Sequence, residues 1–453
     1  MAGLEILTRN AEYTVSLNTR RWLTIPGAAV LLLAPACASI TPAAPAAPVL
    51  RIGVDLPITG SEARAAVPAL NGVRFFVHTH PSLDGFTVSL VTADDAVNGV
   101  PSPGRGATNV QAFLADPTVV AMIGPFDSGV ARKEIPIANA ASLAMVTPAT
   151  SNACLTRNVF MPAMLNPART EIDCKSAGLP SAADLRPSHI NNFFRLTTTD
   201  DLQGAAAADY AFNKLHLLRA AAISDHEAYG QGLVDAFVAR FTTVGGTVVG
   251  RMELPPGKTD VTAFLSQMKD EGAQAFYYGG GSPGGGCGVR AQMKALFPAA
   301  ESTPFFGGDG IAQDPACVTA AGANSPGIFA TVPFVDASTR PGAAATIREF
   351  RGTFGSTADY GPYTIVAYDA TAILYAALDR AIRSAGGRLP GRAGVISELA
   401  KTSGLAGATG NLGFDSAGDT TNRVVSIFEA TGSDPRSLWK LVDTVDYSVH
   451  LPY

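Results

Sequence analysis

The sequence has little positive charge, few cysteines and few histidines, and these shortages exclude several classes of function. Its 33 Lys and Arg residues are outnumbered by 38 Asp and Glu residues, which gives a net charge of -5 and a pI near 5.7. A chain with this balance has no basic field with which to neutralise phosphates, so we expect no nucleic-acid partner. Small molecules and other proteins remain as partners.

The sequence contains three patterns that could suggest catalysis, phosphate binding or metal binding, and each lacks a residue or a spacing that the function needs. Ser128 lacks the Gly-x-Ser-x-Gly elbow of a hydrolase nucleophile, and none of the six histidines is an evident partner for it. The glycine-rich run 279–288 is not followed by the Gly-Lys-Ser/Thr of a phosphate loop. His78 and His80 stand two apart on a predicted helix and therefore point to different faces. The sequence predicts no enzyme, no cofactor and no metal site.

The amino-terminal residues carry the pattern of an export signal, which we assign to 1–38. Arg20 and Arg21 precede the uncharged tract 22–36, which is shorter than the roughly 20 residues of a membrane-spanning helix. The small residues before Cys37 fit either a peptidase site or a lipoprotein signal in which Cys37 is acylated, and the two arginines also allow the twin-arginine route. We expect an exported protein, either a cell-surface lipoprotein or a periplasmic or extracellular one, with membrane contact only through a lipid anchor.

Two apolar runs that each end in a hydroxyl-rich loop organise the next part of the chain. The run 118–124 predicts a buried strand, and a turn and a helix lead from it into a second buried strand that ends before Ala149. Parallel strands present their carboxyl ends, and the helix amino-termini that follow, at one edge of a sheet. We therefore expect Ser128 and Ser151, in the two loops, to face the same crevice.

Strands and helices alternate again later in the chain, which predicts a second lobe of the same kind. Crossings between the lobes are expected near Leu196, Val332 and Gly410. The predicted fold is α/β, with two Rossmann-like lobes whose parallel sheets are joined by three crossovers. The assigned ranges are a Pro/Ala spacer at 39–48, a first lobe of 49–195 plus 333–409, and a second lobe of 196–332 plus 410–453.

Apart from Cys37, the cysteines form an even set of the kind found in exported proteins. Four cysteines allow three pairings. We favour the disulfides Cys154–Cys174 and Cys287–Cys317, because each pair falls within one lobe. Zinc binding is the competing interpretation, but the chain has no C-x-x-C spacing and no histidine beside these positions.

Several short segments, taken in their order and spacing, resemble one family, the type I periplasmic solute-binding proteins of branched-chain amino acid ABC importers. These segments are IGPFDSGVA with TPATSN, ISDHEAYGQG, AFYYGG, FFGGDG, YGPYTIVAYDA and GFDSAGD. The resemblance covers most of the chain after the spacer. It implies a two-lobed protein that closes on a ligand.

The resemblance also implies a set of ligand-binding residues. In the family, the two loops of the first lobe hold the ligand's α-carboxylate, an acidic residue of the second lobe receives its ammonium group, and a tyrosine closes the pocket. The matching residues are Ser128, Ala149, Thr150 and Ser151 for the carboxylate, Asp309 for the ammonium group and Tyr229 for closure.

This sequence departs from the family pattern at three places around the expected pocket. The family usually has glutamate at the position of Asp309, often an aromatic residue at Gly281, and frequently another aromatic within 61–64. These changes alter the size of the pocket. We therefore expect an amino acid or a related small polar ligand, and we do not assume Leu, Ile or Val.

The resemblance implies a function in solute uptake without catalysis. The protein would be the extracytoplasmic binding component of an ABC importer, with an ABC permease as its partner and hinge closure as its mechanism. We expect a monomer. A ligand sensor that feeds a membrane signalling receptor would have the same fold and cleft, so the sequence leaves that alternative open.

Overall fold

The structure, a computed structural model, describes residues 47–163, 170–255, 258–281, 285–297, 302–355, 359–432 and 439–448. The predicted export signal with Cys37, and the spacer up to residue 46, lie outside these ranges. Within them, no helix is both long enough and apolar enough to cross a membrane.

The first half of the described chain builds a sheet with the strand order β10-β7-β6-β1-β3-β2, in which every neighbouring pair except β2 and β3 is parallel. The strands are β1 (Val49–Leu56), β2 (Ser82–Leu83), β3 (Phe86–Asp94), β4 (Ala96–Val97), β5 (Val100–Pro101), β6 (Val119–Ile123), β7 (Ala144–Thr147), β8 (Val159–Met161), β9 (Ile172–Asp173) and β10 (Phe193–Arg195). The helices are α1 (Ala63–Thr79), α2 (Pro103–Ala115) and α3 (Ser128–Ala140). The pairs β4–β5 and β8–β9 form separate hairpins.

The chain then alternates between helix and strand to build a second sheet. These elements are α4 (Asp200–Asp209), β11 (Arg219–Ser224), α5 (Ala228–Thr243), β12 (Thr247–Glu253), α6 (Thr262–Asp270), β13 (Ala275–Gly279), α7 (Gly286–Met293), β14 (Phe305–Gly307), α8 (Pro315–Ala321) and β15 (Ile328–Val332). After them come α9 (Pro341–Phe354), α10 (Tyr363–Ser384), α11 (Arg392–Leu399), β16 (Leu405–Gly407), β17 (Gly410–Leu412), β18 (Val424–Ala430) and β19 (Trp439–Asp446). The second sheet has the order β12-β11-β13-β14-β15-β18-β19.

Helix α10 returns to the first sheet and packs along α1 and against β6 and β7. Its buried face includes Val366, Ala370 and Ile373, each at most 2% exposed, at the spacing of one helix face. At the crossing, a Cβ atom on Gly72 of α1 would collide with the carbonyl oxygen of Thr364, so only glycine permits this close approach. The first sheet is therefore packed against helices from two chain segments that are distant in sequence.

The predicted α/β fold with two largely parallel sheets is confirmed. The antiparallel strands β18 and β19 close the edge of the second sheet, because a hairpin needs only a short connection whereas a parallel strand needs a crossover. Both predicted disulfides are present, with Cα–Cα distances of 5.8 Å for Cys154–Cys174 and 4.9 Å for Cys287–Cys317. The first disulfide encloses the β8–β9 hairpin, in a region where the sequence shows no periodicity.

Candidate functional site

The loop after β6 brings Ser128 to the start of α3. The N-cap residue Asp127 accepts hydrogen bonds from the backbone N–H groups of Gly129 at 2.7 Å and Val130 at 3.0 Å. These two donors, which a free helix amino-terminus would offer to an anion, are therefore committed within the protein. Ser128 is only 4% exposed, and its Oγ accepts a hydrogen bond from the backbone N–H of Asn152 at 3.4 Å. Its hydroxyl proton remains free to be donated.

The loop after β7 is organised by Thr147. The Oγ1 atom of Thr147 donates to the carbonyl oxygen of Pro125 at 2.6 Å and accepts from the N–H groups of Ala149 at 3.1 Å and Thr150 at 3.2 Å. The backbone N–H groups of Ala149 and Thr150 are thus used within the loop. The hydroxyl of Thr150 is buried and has no hydrogen-bond partner among the described residues. This leaves the side chains of Ser128, Thr150 and Ser151 as the donors that the two loops offer.

Asp309 follows β14, and its carboxylate accepts hydrogen bonds from the side chains of three helices. Its Oδ1 atom accepts hydrogen bonds from the Tyr229 hydroxyl of α5 at 2.6 Å and from Gln203 Nε2 of α4 at 2.8 Å. Its Oδ2 atom accepts a hydrogen bond from the hydroxyl of Tyr363, the first residue of α10. The structure therefore brings the predicted residues Tyr229 and Asp309 into direct contact, and adds Gln203 and Tyr363 to them.

The two tyrosines around Asp309 are neutral hydrogen-bond donors. Burial raises the pKa of Tyr229 and of Tyr363 well above its ordinary value, and the nearby carboxylate of Asp309 raises both further. Neutral donors bring no positive charge to Asp309, so a ligand cation would be its counter-charge.

Further carboxyl groups lie around this point. Part of Glu62 is exposed to solvent, but burial of its carboxyl, together with the fields of Asp127 and Asp225, raises its pKa to about 8. Burial also raises the pKa of Asp200 to about 7, against a lowering by the Ser151 hydroxyl close to it. Neither carboxylate oxygen of Asp200 has a hydrogen bond of ordinary geometry. The space between the two sheets is therefore acidic.

Arg132 is a cation on the same helix as Ser128, one turn further on. Its Nε and Nη2 atoms are buried and have no hydrogen-bond partner in the part of the chain that the structure describes. Burial lowers its pKa, and the nearby carboxylates of Asp127 and Asp200 raise it. Side chains on a helix lean toward its amino-terminus, so Arg132 adds positive charge beside Ser128.

The three departures from the family pattern fall close to these carboxyl groups. Glu62 lies in the segment 61–64, where the family frequently has an aromatic residue. The backbone N–H of Gly281 donates to Asp225 Oδ2 at 3.2 Å. A carboxyl group thus lies at or beside each of the three positions.

Four residues of the site are not predicted from the sequence. They are Gln203, Tyr363, Thr147 and Arg132. Tyr363 lies within the segment YGPYTIVAYDA that carries part of the resemblance, which is the one signal that could have pointed to it. Thr147 is the last residue of β7, and Gln203 and Arg132 lie inside helices. Nothing in their spacing distinguishes them from structural residues. Among the described residues, no group of three or more His, Cys, Asp or Glu side chains is arranged to hold a metal ion.

Comparison with known families gives one match over most of the chain. A family described as periplasmic binding protein matches residues 49–434. The Leu/Ile/Val-binding protein BraC3 of Rhizobium johnstonii is 27% identical over 383 residues, which cover 84% of this chain and 91% of BraC3. The resemblance inferred from the sequence is thus confirmed.

Two solved structures share the fold. A leucine binding protein from Thermotoga maritima superposes with a TM-score of 0.69 and 23% identity, covering 88% of this chain and 99% of that one. A solute binding protein from R. palustris, in complex with 4-hydroxybenzoate, superposes with a TM-score of 0.71 and 17% identity, covering 88% of this chain and 97% of that one. At these identities the likeness concerns the fold alone.

Proposed function

Because the chain belongs to the periplasmic binding protein family, we propose that it is the extracytoplasmic solute-binding component of an ABC importer. Its ligand is a small molecule with a carboxylate at one end and an amine at the other, as in an amino acid. The observation that supports this proposal is a pair of opposite charges: Nε and Nη2 of Arg132, on the helix that Ser128 begins, lack hydrogen-bond partners among the described residues, and the carboxylate of Asp309 after β14 accepts hydrogen bonds from neutral donors. The protein carries out no chemical reaction on the ligand.

The anionic end of the ligand binds to the first-sheet loops. The hydroxyl of Ser128 has a proton to donate, the hydroxyl of Thr150 is unpaired, and Ser151 lies beside them, 2% exposed. Arg132 supplies the positive charge that the helix amino-terminus cannot, since Asp127 already takes two of its N–H groups. Ala149 contributes a small side chain that leaves room at the loop.

The cationic end of the ligand binds to Asp309. Three neutral donors orient this carboxylate without neutralising it. An ammonium group forms a charge-assisted hydrogen bond there, which is stronger than a bond between neutral groups. An aromatic acid without an amine gains nothing from Asp309, and this favours amino acids over benzoates.

Ligand binding couples to closure of two bodies, 49–195 plus 333–409 and 196–332 plus 410–453. In the described conformation, the contacts between these bodies include the hydrogen bond from Tyr363 to Asp309 and the pair Arg64 and Asp314, whose charged atoms are 3.7 Å apart. A ligand favours closure only through contacts that it makes in the closed state. The closed form is the one that an ABC permease recognises.

The protein reaches its site of action through export. The tract before Cys37 directs secretion, and acylation of Cys37 anchors the protein to the membrane surface. The protein acts as a monomer, since one chain supplies both walls of the cleft.

Calorimetric titration of the purified protein tests the proposal. We expect L-leucine or L-asparagine to bind, to raise the melting temperature further at each higher ligand concentration, and to bind far better than L-leucinamide, which lacks the carboxylate. Absence of binding by every amino acid at millimolar concentration, or turnover of a bound compound, contradicts the proposal.

A further inference from the structure

Arg195 is the last residue of β10, and its guanidinium group lies against the loop after β7. The residue has 0% exposure. Its Nη1 atom donates to the backbone carbonyl oxygens of Asn152 at 2.8 Å and of Thr150 at 3.3 Å. Its Nη2 atom donates to the hydroxyl of Thr156. One buried arginine thus spans the loop that carries the proposed ligand contacts Thr150 and Ser151.

The two carbonyl groups that Arg195 holds lie on either side of Ser151. The carbonyl oxygen of Ser151 is held as well, because it accepts from the backbone N–H of Asp200 at 3.0 Å. The Thr150 carbonyl accepts a second hydrogen bond from the Thr197 hydroxyl at 3.3 Å. Consecutive carbonyl groups of the loop are therefore oriented by Arg195 and the residues that directly follow it.

The orientation of these carbonyl groups decides where the N–H groups of the loop point. The peptide bond between Thr150 and Ser151 is trans, and in a trans peptide the C=O and the N–H point in opposite directions. Holding the Thr150 carbonyl toward Arg195 therefore turns the Ser151 N–H to the other side. No hydrogen bond from this N–H is present in the part of the chain that the structure describes. The bonds of Arg195 thus fix the direction of a donor that the protein itself leaves unused.

The positive charge of Arg195 is compensated within the protein. Its Nε atom donates to Asp419 Oδ1 at 2.7 Å, and the two side chains are 0% and 3% exposed. Arg132 differs in this respect, because its Nε and Nη2 atoms lack hydrogen-bond partners among the described residues. Arg195 is therefore suited to orient the loop, and it offers no free charge to a ligand carboxylate.

We propose that Arg195 is a positioning residue for ligand binding, whose guanidinium holds the loop after β7 in the shape in which Thr150 and Ser151 meet the carboxylate of the ligand. This inference rests on the proposed function. A guanidinium carries its N–H donors in a planar fork, which here serves two carbonyls, a hydroxyl and a carboxylate at once. A lysine ammonium keeps the charge next to Asp419 but is a point charge without this fork.

Arg195→Lys tests this role through the selection of the ligand's carboxylate. Calorimetric titration with L-leucine, and competition of L-leucinamide against it, give two dissociation constants whose ratio measures how strongly the site prefers the carboxylate. We expect Arg195→Lys to lower this ratio at least about tenfold, because hydrogen bonds from the displaced loop to a charged group are lost. A general loss of stability weakens both ligands alike and leaves the ratio unchanged.

Arg290→Lys is the matched control. Arg290 on α7 is likewise 0% exposed, and it donates to the backbone carbonyl oxygens of Asn324, Thr303 and Pro326 at 2.7–2.8 Å. These partners are none of the proposed ligand contacts. We expect Arg290→Lys to lower the melting temperature, as the loss of buried hydrogen bonds does, and to keep the carboxylate preference of the wild type.

Thr197→Val is a milder variant that keeps Arg195 and the shape of the buried side chain. It removes only the hydroxyl that donates to the Thr150 carbonyl, which retains its bond from Arg195. We expect the ratio of the two dissociation constants to fall about threefold, the size of effect usual for one neutral hydrogen bond.

The outcomes separate this inference from the proposed function. If the wild type binds no amino acid, or binds L-leucinamide as tightly as L-leucine, both proposals fail. If the wild type prefers L-leucine and Arg195→Lys keeps the same ratio, or if Arg290→Lys lowers the ratio as much, the positioning role is wrong while the solute-binding function stands. If Arg195→Lys does not fold, Thr197→Val decides the question, and an unchanged ratio there overturns the positioning role.

Discussion

The hydroxyl of Tyr363 donates a hydrogen bond to the carboxylate of Asp309, and this bond joins a helix that packs on the first sheet to a loop of the second sheet. The two residues are 54 positions apart in sequence. Phe126, in the loop before Ser128, packs edge-on against the Tyr363 ring at 4.7 Å between ring centroids. Tyr363 therefore contacts the loop before Ser128 and the carboxylate of Asp309 at the same time.

Tyr363→Phe removes this contact and keeps the ring. We expect ligand affinity to fall by about tenfold to a hundredfold, since a hydrogen bond to a charged group contributes about 1.5–3 kcal/mol and closure loses it. Calorimetric titration measures the change. Tyr360→Phe is the control, because that ring packs on Phe350 and no hydrogen bond of its hydroxyl to Asp309 is present in the described structure. Equal affinities for both variants contradict a role for Tyr363 in closure.

Asp309→Ala removes the charge that receives the ligand's ammonium group. We expect amino-acid affinity to fall by more than tenfold, while the circular dichroism spectrum and cooperative melting remain those of a folded protein. Residual binding of 4-hydroxybenzoate, which has no amine, should not fall. A variant that binds amino acids as tightly as the wild type shows that Asp309 serves only to hold the tyrosines and Gln203.

Arg132→Gln removes the unpaired cation next to Ser128. We expect more than tenfold weaker binding of a carboxylate ligand and a melting temperature at or above that of the wild type, because a buried guanidinium without a partner destabilises the fold. Lys133→Gln makes the same change of charge at the next residue of α3, which is exposed, and serves as the control. A loss of stability without a loss of affinity assigns Arg132 a structural role instead.

Asp419→Asn breaks the buried ion pair that Asp419 forms with Arg195. In this pair, Arg195 Nε and Asp419 Oδ1 are 2.7 Å apart. Removing one partner of a buried pair costs about 3–5 kcal/mol of unfolding free energy. The arginine charges of Arg195 and Arg157 hold the pKa of Asp419 below its ordinary value despite burial. Wild-type stability should therefore decline as the pH falls below about 4, and less so in the variant.

Chemical denaturation at several pH values measures both effects. Asp415→Asn is the control, since its partner Arg423 and Asp415 itself are both partly exposed and such a pair contributes at most about 1 kcal/mol. A loss in Asp419→Asn no larger than in Asp415→Asn contradicts the assignment.

Asp95→Asn tests the opposite sign of pH dependence. Asp95 is fully buried, and this burial, with the neighbouring charge of Asp55, raises its pKa to about 8. The folded state then keeps a proton that the unfolded state releases, so wild-type stability falls as the pH rises from about 4 to about 8. We expect Asp95→Asn to flatten this fall and to melt higher than the wild type at pH 8. Asp270→Asn, an exposed change at the end of α6, should leave the curve unaltered.

Local pattern was enough to predict the positions that depend on one strand-loop-helix unit. Ser128 and Ser151 follow buried parallel strands, and such strands end at a common edge of the sheet, which is why the sequence places them together. The resemblance to the family, and not the local pattern, implies Asp309 and Tyr229, and the structure joins these two residues by a hydrogen bond at 2.6 Å. The fold follows from the same alternation of apolar runs and glycine-rich loops.

The rest of the site depends on how distant elements pack, which periodicity does not encode. Tyr363 reaches Asp309 only because α10 crosses back to the first sheet. Thr147 looks like any strand residue until its hydroxyl is seen to hold the loop at Ala149. The capping of α3 by Asp127 likewise changes which donors are left for a ligand, although the sequence shows only a helix start.

The packing of α10 on α1 and β7 has a consequence for the order in which the protein can form. Residues 49–147 are made long before residues 363–384, yet the apolar face of the first sheet is covered only when α10 arrives. A nascent chain therefore carries an exposed hydrophobic surface while most of its length is still being synthesised. Contacts between such distant segments also slow folding, because a large loop must close before they form. The core of the first sheet is thus completed only by the last third of the chain, and we expect shorter lengths of the nascent chain to expose apolar surface.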